Sequence, residues 1–138
     1  MMRQPTDSMA RAIRRLSVLV IEGDPNVARL FSGVFSQQGW LVRAPRDGPG
    51  VAGELLGNHY YDIITVSYRF SSLNGADLIK LIRELEHRKD TPVLMVTGGA
   101  DVTVEALAAG ATEVLYKPVE PRGLVAAVMR HTAFSIAS

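Results

Sequence analysis

Hydrophobic positions along this 138-residue chain follow two alternating patterns. Unbroken apolar runs at 17–21 (SVLVI), 63–66 (IITV) and 92–96 (PVLMV) read as strands buried on both faces, as in a parallel sheet. Two further runs, 40–44 (WLVRA) and 111–116 (ATEVLY), are more polar, and the first of these suits a sheet edge. Between the runs, apolar residues recur at three and four positions, the period of a helix with one buried stripe. Val27, Leu30, Phe31, Val34 and Phe35 form the first stripe, and Val51, Ala52, Leu55 and Leu56 the second. Leu78, Leu81, Ile82 and Leu85 form the third, Val102, Ala106 and Ala109 the fourth, and Leu124, Val125 and Val128 the fifth.

Local signals punctuate the stripes. Asp24 can accept free amide hydrogens at the start of the first helix, Pro25 has no amide hydrogen to lose, and Gly39 is the stop. Residues 47–50 (DGPG) read as a turn before a second helix that Gly53 weakens. Asn74-Gly75 opens the third helix, whose outer face carries Lys80 and Glu84. Asp101 is placed to cap the fourth helix, Gly110 ends it, and Pro121 opens the fifth. Five strands alternating with five helices predict an α/β domain over 17–132, a doubly wound five-stranded parallel sheet in the order 2-1-3-4-5.

A chain of this length with 47% hydrophobic residues buries a core without covalent staples, and the lack of cysteine excludes disulfide and thiol chemistry. His59, His87 and His131 have no metal-ligand spacing, and His59 reads as a loop residue. Trp40, Tyr60 and Tyr61 lack interleaved basic groups, so they read as edge packing rather than a base-stacking platform. The net charge of +1 is uneven: residues 1–16 carry four Arg against one Asp, which leaves the remainder at −2. The excess reads as a basic N-terminal extension, with 133–138 as a C-terminal tail. No apolar stretch approaches a membrane span or a signal-peptide core, so a cytoplasmic protein that binds neither membrane nor nucleic acid is expected.

In a sheet of this kind, ligands and chemistry gather beyond the carboxyl ends of the strands. Those ends place Glu22, Gly23, Asp24, Ser67, Thr97 and Lys117 around one crevice. Asp62 stands at the opposite end of its strand. The first strand–helix turn, 22–26 (EGDPN), is acidic and would repel the phosphate of a flavin, which disfavours a flavodoxin-type carrier.

Four segments, VLVIEGDPNVARLF, YDIITVSYRFSSLNG, PVLMVTGG and AGATEVLYKPVE, resemble the receiver domain of two-component response regulators. The resemblance implies an acid pair that holds Mg²⁺, an Asp that accepts phosphate from a kinase histidine, a hydroxyl switch and a phosphate-pairing Lys. The first acid matches Glu22, the switch Thr97 and the Lys Lys117, but the second acid falls on Gly23 and the phosphoacceptor on Ser67. Gly23 offers no ligand, and an alcohol needs an adjacent base to become a nucleophile. A degenerate receiver without metal, cofactor or catalysis is therefore expected, working in signalling as a phosphorylation-independent interaction module. The alternatives are a small-molecule-binding pseudo-receiver, and a receiver phosphorylated elsewhere, at Asp62 or Asp24. Lys117 or Arg69 can replace the charge of the metal by pairing with Glu22 or Asp24. Val104, Leu107 and Ala108 point outward from the fourth helix. In receivers the face of the fourth helix, fifth strand and fifth helix is a docking and dimer surface, which implies a protein partner or a second copy there.

Overall fold

The computed structural model describes residues 15–70 and 72–132. The N-terminal extension before residue 15 and the tail 133–138 lie outside the described residues. Strands β1 (Ser17–Ile21), β2 (Leu41–Arg43), β3 (Ile63–Ser67), β4 (Val93–Thr97) and β5 (Glu113–Tyr116) form one parallel sheet in the order β2-β1-β3-β4-β5. The register pairs Val18 with both Val42 and Ile63, Ile64 with Val93, and Leu94 with Glu113. Leu16 is buried and its carbonyl accepts the amide of Leu41, so the folded domain begins at or before this residue.

Successive side chains along the central strands alternate between two cores, the expected result of a period of two in a sheet covered on both faces. Val18, Val20, Ile63, Leu94 and Val96 pack under helices α1 (Pro25–Gln37) and α5 (Pro121–Arg130). Leu19, Ile21, Ile64, Val66, Val93 and Met95 pack under α2 (Gly48–Leu56), α3 (Gly75–Glu84) and α4 (Thr103–Ala109).

Asp24 accepts the amide of Asn26 at 2.9 Å with Pro25 behind it, and Asn74 accepts the amide of Asp77 at 2.8 Å. The segment expected as a turn at 47–50 is the first turn of α2, capped by Asp47 on the amide of Gly50 at 2.7 Å. Asp101 does not cap α4: it lies in a 3₁₀ turn (Ala100–Val102), and α4 begins without any side-chain cap. Gly110, at φ 112°, closes α4 in the left-handed region that only glycine adopts freely.

The stripes are narrower than the sequence suggests. Leu30, Ala52, Leu56 and Leu81 face solvent, whereas Ile79 and Ala76 take the buried places on α3. Tyr61, expected as edge packing, is fully buried, donating to Glu54 Oε1 at 2.6 Å. Burial first, then the Glu54 carboxylate, pushes its phenol well above the ordinary tyrosine value. Trp40 does pack at the edge, 5.7 Å from the ring of Phe35, and Tyr60 is exposed. His59 is more than a loop residue, its ring bonding the hydroxyl of Ser17 at 3.1 Å.

Below the sheet, at the amino ends of the strands, Arg88 is buried. Its guanidinium donates to the carbonyls of Glu54, Leu55, Gly57 and His59 at 2.7–3.1 Å and lies 5.1 Å from the Tyr61 ring centre. Arg83 reaches the other way, to the carbonyls of Lys89, Thr91 and Gly110. Both side chains satisfy carbonyls that helix ends and connectors would otherwise leave without partners.

Candidate functional site

At the carboxyl ends of β3 and β4 a cleft of about 450 Å³ opens, lined by Ser67, Tyr68, Arg69, Thr97, Asp101 and Lys117 among others. Ser67 ends β3 and is buried. Its position is set by a tight corner: the amide of Gly75 donates to Tyr68 O, and a Cβ at residue 75 would sit 2.6 Å from Ser67 O. No base is hydrogen-bonded to the Ser67 hydroxyl among the described residues, so this alcohol has no partner to take its proton.

Glu22 follows β1 and is buried, its side chain only 3% exposed. Oε2 accepts the amide of Asp24 at 3.0 Å. Oε1 lies 2.9 Å from Lys117 Nζ, an ion pair whose angles fall outside those of a directed hydrogen bond. A buried carboxylate needs such a counter-charge, and Lys117 supplies it across the cleft from the cis Lys117–Pro118 turn. Of the two cations expected near the acids, Lys117 makes the contact. Arg69 is exposed, with no carboxylate within ion-pair distance among the described residues. Asp24 serves α1 as its cap.

Gly23 carries a different constraint. A Cβ at this position would stand 3.0 Å from the backbone oxygen of Arg69, tighter than ordinary packing. The loop after Ser67 thus runs close against the glycine. The Mg²⁺ that the resemblance implies does not fit this set: Gly23 gives no side-chain oxygen, Ser67 gives a neutral hydroxyl, and Glu22 is committed to Lys117 and to an amide. No group of three or more acidic, His or Cys side chains able to hold a metal occurs among the described residues. The Thr97 hydroxyl turns to its own loop, accepting the amide of Gly99 at 3.2 Å.

Two tyrosines that motif reading did not single out stand beside cleft residues, Tyr68 on the wall itself and Tyr116 next to Lys117. Tyr68 Oη donates to Glu105 Oε2 at 3.2 Å, and Tyr116 Oη shares a 2.5 Å hydrogen bond with Thr103 Oγ1. Partial desolvation and then Glu105 hold the Tyr68 phenol above its ordinary range. Both contacts land on the first turn of α4, the turn that has no side-chain cap. Contacts 37 and 13 residues apart in sequence leave no periodic trace; the signal available was a tyrosine next to each of two site residues, directly after Ser67 and directly before Lys117. On the same helix Val104 is 81% and Leu107 51% exposed, and Ala108 is exposed beside them.

The family model for the response regulator receiver domain matches residues 18–129. Response regulator ArlR of Staphylococcus aureus is 27% identical over 113 residues, covering 80% of this chain and 50% of that protein. The chain thus spans about half the length of the curated relatives it matches. Among solved structures, chemotaxis response regulator CheY4 of Vibrio cholerae superposes with a TM-score of 0.79 at 24% identity, covering 85% of this chain and 98% of that one. A two-component response regulator from Clostridium difficile gives 0.76 at 24% identity, covering 84% and 94%. The receiver domain of sensor histidine kinase PA1611 from Pseudomonas aeruginosa, which holds a magnesium ion in its active-site cleft, gives 0.77 at 22% identity over 86% and 98%. Both the fold and the sheet order are those of this group.

Proposed function

Since this chain belongs to the response regulator receiver domain family of two-component signalling, we propose that it is a receiver that works without accepting phosphate, as a protein-interaction module rather than an enzyme. The observation that carries this reading is the pairing of Lys117 with Glu22 at 2.9 Å. A lysine that would meet a phosphoryl group, and an acid that would hold Mg²⁺, neutralise each other directly, with no carboxylate at 23 or 67 between them. The substitutes at nonstandard positions have other work: Asp62 accepts the Ser17 amide at 2.7 Å at the far end of β3, and Asp24 caps α1.

The surface through which it acts is the face of α4, β5 and α5, where Val104, Leu107 and Ala108 are exposed. A protein partner, or a second copy of this chain, covers it. The test is chemical. Incubation with Mg²⁺ and acetyl phosphate leaves the intact mass unchanged, and Mg²⁺ with beryllofluoride leaves the amide NMR signals of Ser67 and Thr97 in place. A phosphoryl adduct, or saturable shifts at those amides, overturns the reading.

The cleft itself favours a second reading. A cavity of about 450 Å³ with the hydroxyl residues Ser67 and Thr97 and the cations Arg69 and Lys117 on its walls is of ligand-binding size. Under that reading a small molecule, rather than a protein, sets the state of the loop after Ser67.

A further inference from the structure

A second cavity, of about 380 Å³, lies on the other side of Gly23, between the first two turns of α1 and the loop from β2 to α2. Arg29 and Ser32 of α1 line one wall, and Arg46 of the β2–α2 loop lines another. The arginines thus come from separate elements to one hollow. Among the described residues neither has a carboxylate within ion-pair distance; Arg29 spends one guanidinium nitrogen on the side-chain carbonyl of Asn26 at 2.6 Å. Glu22 also touches the cavity, but Lys117 neutralises it at 2.9 Å. Pro25, Ala28, Ala44 and Pro45 supply apolar surface between the charges.

From this arrangement we propose that the cavity binds a small organic phosphate monoester, without covalent chemistry. Two guanidiniums with no counter-charge attract an anion. Guanidinium donors in a rigid fork match phosphate oxygens better than an ammonium would. A phosphate monoester at neutral pH carries close to two negative charges, enough to pair both arginines, whereas a single carboxylate leaves one without a partner. The hollow is at the small end of ligand-binding cavities, which suits a compact organic group against the two prolines and two alanines. Gly23 and Ser32 are further polar residues of the lining. Gly23 faces the Arg69 carbonyl on its other side, so a ligand here abuts the closed loop of the cleft.

The probes are phenyl phosphate, inorganic phosphate and phenol, titrated into the full chain at fixed ionic strength and followed by amide NMR. Phenyl phosphate is expected to give saturable shifts at Gly23, Arg29, Ser32 and Arg46, to bind more tightly than inorganic phosphate, and to exceed phenol throughout. Arg29→Gln and Arg46→Gln are each expected to weaken it about tenfold, the scale of one lost charge-assisted contact. Arg122→Gln, on α5 and away from the cavity, leaves it unchanged. No saturable shift up to about 10 mM, an affinity too weak for a built site, overturns the proposal. Shifts that survive the double arginine variant, shifts centred on Thr97 and Lys117, or phenol matching phenyl phosphate do the same. Inorganic phosphate binding as tightly as phenyl phosphate overturns the organic part.

Discussion

The ammonium of Lys117 stands 2.9 Å from the carboxylate of Glu22, and the two partners differ in burial: the acid side chain is 3% exposed and the lysine 29%. The carboxylate therefore depends on the cation more than the reverse. Removing the lysine strands a charge in a site that cannot hydrate it, while removing both charges strands nothing. Lys117→Met is expected to lower stability by about 1–3 kcal/mol, below the full value for a sealed pair because solvent reaches the lysine. Glu22→Gln with Lys117→Met recovers most of that loss. Urea denaturation of the two single variants and the double variant measures the coupling.

Building a metal site at the cleft takes two changes. Ser67→Asp alone places a second carboxylate near Lys117 but leaves Gly23 without a side-chain oxygen and the Arg69 carbonyl 3.0 Å from where a Cβ would stand. Isothermal titration is expected to show weak or no Mg²⁺ binding for Ser67→Asp, and Mg²⁺ binding for Ser67→Asp with Gly23→Asp. Equal Mg²⁺ affinity in the two variants would show that a carboxylate at 23 plays no part.

Tyr68 and Tyr116 hold the first turn of α4 through Glu105 and Thr103. Tyr68→Phe with Tyr116→Phe removes both hydrogen bonds while leaving the rings in place. Amide hydrogen exchange across 103–107 is expected to quicken about tenfold while β1 and β3 are unchanged. Uniform acceleration over the whole chain would assign the tyrosines to global stability instead.

Val104→Asp with Leu107→Asp changes two exposed positions, so folding stability should move by no more than about 0.5 kcal/mol per site. Mass by light scattering and partner capture by pull-down are expected to fall. Association that persists in the folded double variant removes this face from consideration.

At the base, Glu54 and Tyr61 titrate in opposite directions. The Tyr61 hydroxyl and then, against burial, the Arg43 guanidinium hold Glu54 below the ordinary carboxylate value of 4.5. A lowered acid pKa contributes stability that is present above 4.5 and is lost as pH falls through the lower folded value. Tyr61 is raised, so its contribution is present below its ordinary value of 10.0 and is lost as pH climbs through the higher folded one. Tyr61→Phe should flatten both limbs of a stability–pH curve, and an unchanged alkaline limb would contradict the assignment.

The sheet order was legible because continuous apolar runs and helical stripes alternate without exception from Ser17 to Val128. The helix faces were less so: a flat sheet buries only the centre of each stripe, which leaves Leu30, Leu56 and Leu81 outside although their spacing matches. The cleft residues came from strand ends and needed only the topology. Arg88 could not be seen, since in 86–90 (EHRKD) it looks like one more solvated charge. Its burial follows from four carbonyls left open by the end of α2 and the segment after it.

The arginine anchorage at the base bears on how such a chain can diversify. Arg88 and Arg83 tie α2, α3 and the approaches to β4 and β5 together at the end of the molecule away from the cleft. Much of the bracing of the scaffold therefore lies at the end away from the cleft. Side chains at the cleft can therefore change while the foundations at the other end stay in place.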